Sequence, residues 1–109
     1  MASVTRDLLF EVGEIVHHVR YDYRGVVVGY DQGCMAEDDW YEDQTKGKGY
    51  KPTKQQPWYH VLVDGAMHQT YVAQQNLEAS DDTRPLTHPM VNQVFATFLD
   101  GRYYKENLN

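Results

Sequence analysis

The sequence predicts a mainly β domain, a small SH3-like barrel of five strands followed by a C-terminal α-helix. Three observations predict it. Two pairs of short β-branched and aromatic runs are each joined by a turn, and one apolar stripe near the end repeats at helical spacing. In the first pair, residues 15–21 carry Ile15, Val16 and Val19, Asp22 to Gly25 turns the chain, and residues 25–31 return it through Val26, Val27 and Val28. In the second, Trp58 to Asp64 and His68 to Ala73 are joined at Asp64 and Gly65, and Asp-Gly is a strong hairpin signal because both residues tolerate positive φ.

Each element follows in chain order. Residues 1–9 are expected to be a flexible N-terminus, and residues 10–109 a single domain with its barrel over 10–79. Gly13 suits a tight turn as the barrel opens. Between the hairpins, residues 32–56 form an insertion too long for an ordinary connection, so it is either functional or mobile. Trp40 and Tyr41 are the residues to tether its middle. On the third strand, alternation puts Trp58, His60, Leu62 and Asp64 on one face and Tyr59, Val61 and Val63 on the other. The second set reads as core, and Trp58 either faces a groove or caps that core. Asn76 to Glu78 begins a short closing strand or a 3₁₀ turn. After a polar linker at 79–84, the helix is expected over about 88–99. Thr87 or His88 would cap it and Pro89 would sit in its first turn. Val91, Val94, Phe95 and Phe98 fall at i, i+3, i+4 and i+7, and Gly101 ends it.

A chain of 109 residues supports one modest core. No apolar run approaches the ~20 residues of a membrane span, and no signal-peptide pattern opens the chain. The single cysteine, Cys34, allows no intramolecular disulfide and fits a reducing, cytoplasmic setting. Net charge is −6, which opposes broad attachment to nucleic acid. Charge is also blocked out locally. Glu37, Asp38, Asp39, Glu42 and Asp43 form an acidic run, and Lys46, Lys48, Lys51 and Lys54 follow at once.

Catalytic and metal chemistry find little footing. His17 and His18 are adjacent, so on a strand they point to opposite faces and do not share an ion easily. One is expected to pack inward and bond a backbone group while the other is solvated. No zinc-type spacing supplies further ligands. Cys34 is followed by acids, which oppose thiolate formation, and the acidic run lacks the calcium-loop pattern. No cofactor, metal or enzymatic activity is expected. Aromatic residues are the richer lead: Tyr21, Tyr23, Tyr30, Trp40, Tyr50, Trp58, Tyr59 and Tyr71 concentrate around the two hairpins.

Four segments carry a family resemblance: Phe10-Glu-Val-Gly-Glu-Ile-Val-His-His18, Tyr23-Arg-Gly-Val-Val-Val-Gly-Tyr-Asp31, Gln56-Pro-Trp-Tyr-His-Val-Leu-Val-Asp64 and Thr70-Tyr-Val-Ala-Gln-Gln-Asn-Leu-Glu78. In this order and spacing they resemble the YccV/HspQ family, the hemimethylated-DNA-binding domain. The long insertion and the tail after His88 look more like the version of that domain appended to F-box proteins. The resemblance implies a binding module, with hemimethylated double-stranded DNA as its lead ligand. It supplies no catalytic motif.

Charge and aromaticity nominate the residues for a DNA role. Lys46, Lys48, Lys51 and Lys54 would meet phosphates, with Arg20 and Arg24 extending the strip and Tyr50 and Trp58 reaching bases or sugars. Burying one N6-methyl group is worth about 0.8 kcal/mol, about fourfold, so strong methyl preference needs shape or steric rejection too. Equally, the lysine segment reads as a solvated linker. The alternative function is a heat-shock or quality-control adaptor that binds a protease or client protein. The acidic balance, the strand edges and the exposed aromatics support that one.

Overall fold

The computed structural model describes residues 7–49 and 51–108. Residues 1–6, most of the expected flexible N-terminus, and the candidate Tyr50 lie outside the described residues. Five strands form one antiparallel sheet: β1 (Ile15–His18), β2 (Arg24–Asp31), β3 (Trp58–Val63), β4 (Gln69–Ala73) and β5 (Leu77–Ala79). Their spatial order is β4-β3-β2-β1-β5. Both predicted hairpins form, pairing Ile15 with Val26 and Val61 with Thr70. Asp22 takes φ 56° in the first turn and Gly65 takes φ 76° in the second, the left-handed backbone that Asp and Gly tolerate. After β4 the chain makes a 3₁₀ turn, Gln74–Asn76, and then returns as β5 against β1.

Two expectations are corrected. The five strands do not close into a barrel. β4 and β5 are the two edges of the sheet, and no ladder joins them among the described residues. The predicted C-terminal helix over 88–99 does not form. In place of a helix over 88–99 there is one turn, α2 (Val91–Val94), followed by a hairpin of β6 (Thr97–Leu99) and β7 (Arg102–Tyr104). Asp100 and Gly101 have φ 52° and 79°, a left-handed pair that turns the chain rather than ending a helix. The spacing of Val91, Val94, Phe95 and Phe98 is satisfied by one helical turn entering a strand, so four residues could not separate the two readings.

Both faces of the sheet are covered. On one face Val16, Val27, Tyr59, Val61 and Val72 pack with Phe10 and Leu77. On the other, Ile15, Val26 and Leu62 meet Leu86, Val91, Phe95 and Tyr103 of the C-terminal segment. That is why successive residues of β3 are buried rather than alternate ones. Gly13 makes the C-terminal covering possible. Its N–H bonds the Val27 carbonyl at 2.8 Å and its carbonyl accepts the Tyr103 N–H at 2.9 Å. At φ 98°, a Cβ there would lie 1.9 Å from the Tyr103 carbonyl oxygen. No helix of the described residues is long and apolar enough to cross a membrane.

The insertion carries a helix that the sequence did not announce, α1 (Asp38–Thr45). Its middle is tethered as expected: Tyr41 is buried with Trp58 and Ala73, and Trp40 packs against them. Tyr41 also donates its hydroxyl to the Pro52 carbonyl at 2.6 Å, so the second half of the insertion is held to the first.

Candidate ligand-binding groove

Where the insertion meets the sheet, five aromatic rings come together. Tyr71 of β4 is the hub. Its ring lies 4.7 Å from His60, 5.3 Å from Trp58 and 5.7 Å from Trp40, and Trp58 in turn touches Tyr41 at 6.3 Å. The Tyr71 hydroxyl donates to Asp31 at 2.7 Å and accepts the Met35 N–H at 3.0 Å, which fixes the start of the insertion over the strand. Burial first, and then the Asp31 carboxylate, hold this phenol well above its usual pKa, so it stays a donor at any physiological pH. Trp58 donates its indole N–H to the Thr53 carbonyl at 3.2 Å.

Beside this cluster runs a groove of about 690 Å³. Tyr71, Trp40 and His60 stand on one side of β4, with Tyr23 and His18 on the other and Thr45 and Lys48 of the insertion above. Tyr23 is positioned by a 2.9 Å hydrogen bond to Thr70 and by the His18 ring, 5.1 Å away. His18 itself is buried, and its Nδ1 accepts the N–H groups of Arg20 and Tyr21 at 3.1 and 3.0 Å. Burial, with His17, Arg20 and Lys48 nearby, lowers its pKa to about 4, so it is neutral. Its neighbour His17 points the other way, bonded to Asp22 at 2.6 Å and Glu78 at 2.8 Å, and those two carboxylates raise its pKa. The adjacent pair thus divides as expected, one ring inward on backbone groups and one outward.

The residues nominated for DNA are mostly engaged within the chain. Arg24 is a clamp: it bonds Asp64 and the carbonyls of Asp82, Arg84 and Pro85, tying residues 82–85 to the sheet. Trp58 is 3% exposed and belongs to the aromatic cluster. Lys54 pairs with Asp38 and lies over the Tyr41 ring at 4.6 Å. That bond raises the lysine's pKa and lowers the aspartate's. Lys51 pairs with Glu42 at 2.6 Å. Lys48 bonds the Tyr21 hydroxyl at 2.8 Å across the groove's mouth. Two lysines of the basic block thus pair with two acids of the block before it, across α1 and the chain that follows it. Lys46 and Arg20 are exposed. Among the described residues, no group of three His, Cys, Asp or Glu converges as a metal site.

Comparison with known proteins now places the chain. Residues 8–102 match the family model described as hemimethylated DNA-binding protein YccV like. The chain belongs to this family. It is also 34% identical over 99 residues to F-box only protein 21 of Pongo abelii and of Homo sapiens, and 33% to that of Mus musculus. These alignments cover 90% of this chain but only 15–16% of each relative, so the chain spans a small part of the length of the curated proteins it matches. No solved structure matches the chain significantly.

Sequence reasoning had singled out Tyr21, Tyr23, Trp40 and Tyr71 as part of an aromatic excess, but not as one site. What brings them together is the edge position of β4, which depends on strand order and is invisible in local patterns.

Proposed function

We propose that this chain is a non-catalytic recognition module, and that its ligand is an extended segment of another protein seated in the groove beside β4. One observation carries the reading. The groove joins aromatic walls to a strand edge, while most of the cations around it already have partners in the chain. Strand edges offer rows of backbone donors and acceptors, and flanking rings offer pockets for side chains. A net charge of −6 repels a polyanion and is indifferent or favourable to a protein segment. This supports the adaptor alternative, in which the bound segment belongs to a client or a protease, acting in a reducing compartment that suits the lone Cys34.

Hemimethylated DNA is the second reading, and the family's description favours it. Its phosphate contacts would come from Lys46, Arg20 and a Lys48 that has left Tyr21. Each neutralised phosphate contributes a salt slope of about −0.9, so two or three contacts give weak and salt-sensitive binding. Fluorescence anisotropy with unmethylated, hemimethylated and fully methylated duplexes separates the readings. The protein reading expects weak binding that ignores methylation and disappears at physiological salt. A hemimethyl preference that survives physiological salt, and that falls in the Lys46→Glu and Lys48→Glu variants, would put DNA in first place.

A further inference from the structure

We infer that the ligand segment binds by adding a strand to the free edge of β4, and that it alternates apolar with basic side chains. This rests on the reading of the groove as a protein-segment site and specifies how the site works.

All five residues of β4, Gln69 to Ala73, line the groove. Successive side chains of a strand point to opposite faces, so a cavity over one face meets every second residue. A cavity that meets all five lies along the edge. Among the described residues, the outward backbone groups there make no backbone hydrogen bond. Val63 donates to the His68 carbonyl and Gln74 to the Pro57 carbonyl, so Thr70 and Val72 hold the ladder bonds to Val61 and Tyr59. The N–H and C=O of Gln69 and Tyr71 therefore point away from β3, towards the groove.

β4 itself carries no guard. Natural edges are protected by lysines, prolines, bulges or shortness. The opposite edge, β5, has three residues and carries Glu78. By contrast β4 reads Gln-Thr-Tyr-Val-Ala, with no charge, proline or glycine. Rings stand on both of its sides, Trp40 and Tyr71 on one and Tyr23 on the other, so an added strand finds pockets for side chains of both parities.

The charge preference comes from the acidic balance of the chain, net −6, which attracts a basic segment and repels an acidic one. α1 lies beside the site: its Trp40 and Gln44 line the groove, while Asp39 and Asp43 line an adjacent hollow together with Lys46 and Lys51.

The test uses a fluorescent peptide of alternating valine and lysine and its valine–glutamate counterpart. Two further versions of the first are N-methylated on the amides of one strand edge or of the other. Expected are at least tenfold tighter binding of the valine–lysine peptide, loss of binding for one N-methyl series only, and movement and exchange protection of the Gln69 and Tyr71 amides. Gln69→Pro, which an edge strand tolerates, should weaken binding, and raising the salt concentration should narrow the gap between the two peptides. Binding that is equally indifferent to N-methylation on both edges would mean capture by side chains alone; strand addition would be wrong and the protein-segment reading would stand. No binding of either peptide overturns the proposal, and a hemimethylated duplex that moves the same two amides overturns the reading beneath it as well.

Discussion

His17 and His18 are neighbours on β1, yet their environments drive them in opposite directions. In the fold His18 is neutral, with its pKa lowered to about 4 chiefly by burial. Unfolded, it would take a proton near pH 6.5, so the unfolded chain gains protons first as pH falls. Its contribution to stability is therefore present above about 6.5 and lost on the way down to about 4. The raised pKa of His17 works the other way: its contribution is present below 6.5 and lost as pH rises through the folded value. In His18→Phe, two backbone N–H groups lose their acceptor, and urea unfolding at pH 7.5 should show a loss of about 1–3 kcal/mol. The further loss between pH 7 and pH 5 should shrink in that variant; an unchanged acid loss would show that His18 does not carry it. Tyr59 offers a second test at this scale. Its buried hydroxyl bonds Gln74 and accepts the N–H groups of Leu9 and Phe10 at 3.2 and 3.4 Å. Tyr59→Phe should cost about 1–3 kcal/mol and speed hydrogen exchange at those two amides.

The C-terminal hairpin covers the sheet only because Gly13 lets the Tyr103 backbone approach. Gly13→Ala should therefore lower stability by at least about 2 kcal/mol and loosen the packing of Phe95 and Tyr103. Gly47→Ala is the control. Its φ is 74° but a Cβ there meets nothing within 4 Å, so only the backbone preference is lost, about 1 kcal/mol. Thermal unfolding of both variants checks the contrast, and equal shifts would contradict it. Elements with a strict local signature were legible in the sequence. β1 to β4 showed in their β-branched and aromatic runs, and the turns showed in Asp22 to Gly25 and Asp64–Gly65. The C-terminal helix was misread because Asp100 and Gly101 carry the same turn chemistry, yet the apolar spacing before them outweighed it. α1 escaped notice because its buried residues, Tyr41 and Thr45, make no apolar stripe. Its signals were the acidic first turn at Asp38 and Asp39 and the i, i+4 pairs Trp40–Gln44 and Tyr41–Thr45.

At the scale of the whole molecule, the distribution of charge is what favours the proposed protein ligand over DNA. Two of the lysines read from the sequence as a phosphate strip, Lys51 and Lys54, are folded back on Glu42 and Asp38, a pairing between residues 9 and 16 positions apart that no local pattern exposes. The groove was likewise illegible, since it exists only once β4 is an edge and the insertion arches beside it. The most direct test of the account follows the two tryptophan indole N–H signals and the β4 amides of nitrogen-15-labelled protein. It titrates the protein at physiological salt with the valine–lysine peptide and, separately, with a hemimethylated duplex. The account predicts that the peptide moves the Trp40 indole together with the Gln69 and Tyr71 amides, leaves the buried Trp58 indole nearly still, and that the duplex moves none of them. Saturable shifts with the duplex at Arg20 and Lys46, and a groove that stays silent to the peptide, would contradict it.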